Sequence, residues 1–164
     1  MKKKDIDLKD RLLDLDKLKF EIKDTMRYDD VGDYYGNTIV SYDMKDPIVN
    51  NAILIHEFIE YTLIRSAGLS SELIDLFDND DDAPYDYPEE YELYSKFHRM
   101  ANKIERQFIE NLGLNWKEHG KKVYTTPIKV AITNISKELH KHEPSQEKIE
   151  NYKEIVEEGF EEKK

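Results

Sequence analysis

At 164 residues the chain is long enough to bury a core of its own, and a single folded unit of about 120 to 130 residues with polar ends is expected. A net charge of −11 argues against a nucleic-acid backbone as partner, because a phosphate binder normally carries a basic face. The absence of cysteine removes disulfides, thiolate zinc sites and thiol catalysis together.

Met1-Lys2-Lys3-Lys4 is basic, but acidic and polar residues follow at once, so no signal peptide is read there. Residues 5–17 suit a short helix with Ile6, Leu8, Leu12, Leu13 and Leu15 as its apolar positions. Leu18 to Lys23 alternates apolar and charged residues as a half-buried strand does. Gly32 and then Gly36-Asn37 punctuate a turn before Thr38-Ile39-Val40-Ser41-Tyr42, a β-branched run that reads as a second strand. Asp46 is placed to cap a helix with Pro47 in its first turn, and Gly68 should end that helix after Ala67.

Ser70 or Ser71 can cap a short helix through Phe77, and an acidic loop is expected from Asp78 to Pro88. From Glu89 to Leu112 the period is helical again, with Leu93, Phe97, Met100, Ala101, Ile104, Phe108, Ile109 and Leu112 forming a broad apolar stripe that Gly113 terminates. Pro127 is expected to open a further helix, Ile128 to about His140, and Pro144 separates it from a charged segment, Gln146 to Glu162. The expected organisation is one domain over residues 1–143, with 144–164 a charged C-terminal helix or tail, and no internal repeat is seen. The expected fold class is α+β and predominantly helical: a small N-terminal β-sheet packs on the helix 47–67, and the long helix 89–112 closes against it.

The longest apolar run, Ala52 to Ile64, is too short to span a bilayer, so no membrane association is expected and a cytoplasmic protein is the plain reading. It is interrupted by His56, Glu57 and Glu60. Such groups are costly in an apolar setting unless hydrogen-bonded, protonated or bound to a metal. His56 and Glu60, four apart, share a helix face with side-chain origins roughly 6 Å apart. His98, Asn102 and Glu105 likewise share one face of the second long helix.

If the two helices pack together, His56, Glu60 and His98 form a two-histidine, one-carboxylate metal site, with Glu105 or Asn102 as a fourth ligand or as the support behind one. Zinc accepts these donors, and three protein ligands leave a position for water, which Glu57 would deprotonate as general base. This is the logic of the HExxH zincin helix with Glu60 in place of the second histidine. The anionic ligand makes the cation a poorer Lewis acid and brings manganese or iron into consideration. The competing reading is a buried polar network, in which His56 bonds Glu105 or Glu60 and fixes helix register without catalysis.

Several stretches carry a resemblance in their linked order: Ile39 to Tyr42, Ala52 to Leu63, Gly68-Leu69, Ile74-Asp75-Leu76-Phe77-Asp78, Ala83-Pro84-Tyr85, His98-Arg99-Met100-Ala101, Ile104-Glu105-Arg106 and Leu112-Gly113-Leu114-Asn115-Trp116. Over roughly residues 38 to 118 the chain resembles a family of small phage and prophage proteins. Those proteins carry an HE(L/I/V)xE helix, then a histidine-alanine-glutamate helix and a Leu-Gly-x-x-Trp ending. The resemblance implies a zincin-like, metal-dependent protein and supplies no substrate; the expected function is a metal-dependent hydrolase, peptidase-like in character, acting on an unidentified peptide or small molecule in the cytoplasm, that of the host if phage-encoded. It further implies that the strand before the metal helix, Thr38 to Tyr42, borders the cleft and holds an extended peptide by backbone pairing. The alternative is a non-catalytic phage accessory protein in which the same residues bind a structural ion or one another and the acidic surface engages a basic partner.

Weaker signals point to structure. Asp78, Asp80, Asp82 and Glu89 fall at calcium-loop positions, but Ala83 stands where the turn wants glycine and Pro84 and Pro88 stiffen the rest, so a solvated acidic loop flanking the cleft is expected. Tyr85, Tyr87, Tyr91 and Tyr94 read as packing at the core edge, and so does Trp116 after the Gly113 turn. His119, His140 and His142 lie among charges and read as solvated.

Overall fold

The computed structural model describes residues 11–80 and 82–139, with side chains described as far as residue 127. Among these residues the chain forms a three-stranded sheet and five helices, so the fold is α+β and mostly helical, as expected. The strands are β1 (Lys19–Lys23), β2 (Gly32–Tyr35) and β3 (Thr38–Tyr42). The helices are α1 (Pro47–Ala67), α2 (Ser71–Asn79), α3 (Ala83–Asp86), α4 (Pro88–Asn111) and α5 (Trp116–Leu139).

The sheet order is β1-β3-β2, with β1 parallel and β2 antiparallel to β3. The β-branched run at Thr38–Val40 takes the central position, where Ile39, Val40 and Ser41 are fully covered. β2 and β3 pair from Tyr35↔Thr38 outward, leaving Gly36-Asn37 as a two-residue loop. Gly36 sits at φ 58°, the left-handed conformation such a loop requires at its first position.

α1 begins and ends on the expected signals. Asp46 accepts from the backbone N–H of Ile48 and Val49, Pro47 fills the first turn, and Gly68 closes the helix at φ 79°. Its buried stripe runs Val49, Ile53, His56, Glu60 and Ile64, so two ionisable groups occupy core-facing steps between apolar ones. The corresponding stripe of α4 is Phe97, Ala101, Glu105 and Ile109. α1 lies between the sheet and α4. Ala101, with no exposed surface, lets the two helices approach closely.

The main core joins Leu13, Tyr34, Ile39, Tyr61, Ile64, Ile74 and Phe97, and full burial of a residue such as Ile64 contributes about 1.5–3 kcal/mol. Tyr34 and Tyr61 stack at 4.4 Å within it. A smaller cluster of Val31, Val49 and Ile53 meets Val123 of α5. No helix among the described residues is long and apolar enough to cross a membrane.

Four expectations need correction. The N-terminal helix expected over 5–17 is helical only at Arg11 among its described residues; Asp14 accepts from the Asp16 backbone N–H, a local turn that competes with helix, and residues 5–10 lie outside the described part. Gly32 opens a strand, β2, where only a turn was read. α3 adds one helical turn inside the acidic segment expected as loop.

Pro127 does not open a helix but sits inside α5, which starts at Trp116. Asn115 supplies that start by accepting from the Glu118 backbone N–H, and Thr126 donates its hydroxyl to the Lys122 carbonyl where the proline disturbs the backbone ladder. The segment expected as a tail, 144–164, lies outside the described residues, as do His140 and His142.

Candidate metal centre

α1 and α4 bring His56, Glu60 and His98 together, with one donor atom from each inside 4.8 Å of the others. His56 and Glu60 are buried, and the His98 side chain is 46% exposed on the open side. Glu60 Oε2 is common to both histidines, 2.7 Å from His98 Nδ1 and 3.7 Å from His56 Nε2. Donors bound at about 2.0–2.1 Å in a tetrahedron stand roughly 3.3 Å apart, so the two separations bracket what a zinc-sized cation asks. The group can hold a divalent metal ion.

The remaining atoms of His56 and Glu60 are tied down from outside. Tyr34 of β2 donates its hydroxyl to Glu60 Oε1 at 2.9 Å, leaving Oε2 as the oxygen that meets His98 Nδ1. Burial and the neighbouring Glu60 charge both hold the Tyr34 phenol far above its usual range, so it stays a donor. His56 Nδ1–H donates to Glu105 Oε2 at 2.9 Å, which turns Nε2 toward Glu60 and His98. Glu105, expected as a ligand or as the support behind one, is bonded to the His56 nitrogen that points away from Glu60.

The electrostatics follow from that packing. Burial alone would lower the His56 imidazole, but its hydrogen bond to Glu105 and the nearby Glu60 carboxylate prevail and raise it to about 10. Burial would raise the Glu60 carboxyl, yet the nearby His56 imidazole and the hydrogen bond from His98 hold it down at about 2. Glu105 is likewise held below the usual carboxylate range, against its burial, by His119 and His56.

Glu57, the next residue after the first ligand, lines the same cavity. Burial pushes its carboxyl well above the ordinary value, with His56 opposing and Glu60 and Asp30 adding to the rise. Its side chain lies flat against Gly32 of β2: a Cβ built there would stand 2.5 Å from the carboxyl carbon and 2.7 Å from Cγ. The glycine that sequence reading took as punctuation therefore makes room for this carboxylate.

The cavity encloses about 1010 Å³ between β2, α1, α4 and α5. Asn102 lies on its wall, as expected from its place on the α4 face. Asp29, Asp30, Asp33, Asp75 and Asp78 make the wall acidic, while Arg27 is engaged by Asp33 and Asp75.

Two expectations about the surroundings change. β3 cannot accept an extended ligand, because β1 and β2 occupy both of its edges; β2 is the edge strand on the cavity wall. His119 is not solvated but 5% exposed, with Nε2 2.6 Å from Glu105 Oε1. Asn115-x-x-Glu118 is a helix-start pattern that places His119 in the first turn of α5, and it was the available signal. Tyr34 was missed for want of any, since a tyrosine on a short strand has many uses.

Set against models of protein families, curated proteins and solved structures, the chain matches none of them.

Proposed function

We propose that the protein is a metal-dependent hydrolase of zincin-like character and phage or prophage type, with zinc held by His56, Glu60 and His98 and with Glu57 as general base. The observation that carries the reading is the one-sided satisfaction of the ligands. Tyr34 takes the outer oxygen of Glu60 and Glu105 takes the outer nitrogen of His56, so the other oxygen of Glu60 and the other nitrogen of His56 are turned toward His98. Carboxylate support of a ligating imidazole is the habitual arrangement around protein-bound zinc.

The cation supplies Lewis acidity, to a carbonyl and to water. The chain's own residues do the rest. Glu57 takes a proton as the water oxygen bonds to the carbonyl carbon, and returns it to the leaving amine as the carbon–nitrogen bond breaks, so that one water is consumed per bond cleaved. The acidic wall favours neutral or cationic substrates over phosphates, and the edge strand β2 offers backbone groups to an extended peptide.

The second reading is a self-contained network in a non-catalytic accessory protein, favoured by the 2.7 Å bond between His98 and Glu60, which needs no cation. Zinc-loaded protein incubated with a peptide library, read by mass spectrometry, separates the two. Cleavage is expected, and Glu57→Gln should lose at least ~100-fold in rate while keeping zinc. Turnover that survives in Glu57→Gln contradicts the assigned base; the same peptides left intact by zinc-loaded wild type favour the network.

A further inference from the structure

His119 is the buried group near the cluster that the proposed hydrolysis leaves unused. It comes from α5, and its Nε2 meets Glu105 Oε1 at 2.6 Å. Its Nδ1 is buried with no hydrogen-bond partner among the described residues. That orphan atom decides the tautomer. With the proton on Nε2, the ring donates to the carboxylate and Nδ1 keeps only an idle lone pair. With the proton on Nδ1, an N–H would be buried without an acceptor while Nε2 and Oε1, two acceptors, faced each other. The first arrangement costs less.

Glu105 therefore accepts on both oxygens, from His119 at Oε1 and from His56 at Oε2. The terminal torsion of a glutamate is broad, so a carboxylate held at one oxygen can swing, whereas one held at both cannot. The chain His119–Glu105–His56 spans three helices, α5, α4 and α1, and its last member is a ligand of the proposed centre.

We infer that His119 is a positioning residue that fixes Glu105 and, through it, the direction in which His56 presents Nε2; the inference rests on the metal-site reading above. Trp116, with its ring 5.3 Å from the imidazole, packs beside it. Without the imidazole, Oε1 loses its donor and Glu105 gains a rotation that draws His56 away from Glu60.

The test uses the full chain, stripped with chelator, as wild type, His119→Ala and His119→Gln. Two quantities are read: zinc affinity by calorimetry, and solvent exchange of the His56 Nδ1–H by nitrogen-15 NMR of the metal-free protein. His119→Ala should bind zinc ~10- to 100-fold more weakly and expose the Nδ1–H to fast exchange. His119→Gln, whose amide N–H reaches about as far as Nε2, should restore both. Wild-type affinity and a protected Nδ1–H in His119→Ala overturn the positioning role. Where alanine does not fold, His119→Asn, whose amide stops short of Glu105, takes its place with the same expected losses, and wild-type behaviour there overturns it equally. A wild type that binds no zinc, while His119→Ala still frees the Nδ1–H, overturns the metal reading and leaves the relay standing.

Discussion

His56 Nδ1 and Glu105 Oε2 meet at 2.9 Å from positions 49 residues apart in the chain, both almost fully buried. A buried ion pair of this kind is costly to break, because removing one member strands the other. Glu105→Ala should destabilise the protein by about 3 kcal/mol or more, since it leaves both His56 Nδ1–H and His119 Nε2–H without acceptors. Urea denaturation checks this: a loss near that of an exposed substitution would mean that water reaches both rings.

Tyr34→Phe keeps the stack on Tyr61 and removes only the hydroxyl that holds Glu60 Oε1. The buried oxygen is then unpaired, with an expected stability loss of about 1–3 kcal/mol. If Glu60 binds the cation through Oε2 alone, zinc affinity should fall as well, by ~10-fold or more. Calorimetry on the variant gives the second number independently of the first.

Gly32→Ala places a methyl group against the Glu57 carboxylate. Overpacking should cost about 1–3 kcal/mol, or the side chain of Glu57 must turn away. In either case hydrolysis should suffer more than zinc binding, because the three atoms nearest the added carbon all belong to Glu57 and none to a proposed ligand. A variant with full turnover would place the working position of Glu57 elsewhere.

The sequence carries α1 from cap to cap because Asp46, Pro47 and Gly68 act locally. The same holds for the pairing of α1 with α4, where ionisable groups stand in apolar stripes at helical spacing and announce that the stripes face one another. β2 was illegible because Gly32 is there to admit Glu57 from a different element, a fact that no local pattern contains. His119 was misread because its neighbours are charged; the first turn of α5 points those neighbours outward and this one ring inward. The expectation that β3 would border the cleft failed through strand order, which is set by pairing between distant segments.

Asp78 gives the pH prediction. Withdrawal from water pushes its carboxyl up to about 7, with Asp30, Glu60 and Asp75 adding repulsion and the Tyr94 hydroxyl opposing. A carboxyl raised above its ordinary 3.8 binds its proton more tightly in the folded state, so stability is lost as pH climbs from 3.8 through about 7. Asp78→Asn should gain on wild type above that window and gain nothing below it. Asp78 as a residue stands exposed at the cavity rim, with its carboxyl turned in to the Tyr94 hydroxyl, and that exposure limits the gain to under about 1 kcal/mol. Thermal melts of the two proteins at either end of the window measure it.

The central claim is that three side chains from two helices converge on one cation. Zinc titrated by calorimetry into chelator-treated wild type, His56→Ala and Glu60→Gln tests it most directly. One ion per wild-type chain is expected, with a loss of affinity of at least ~10-fold in each variant and the fold retained by circular dichroism. Absence of binding to wild type, or binding that both variants keep unchanged, would contradict it.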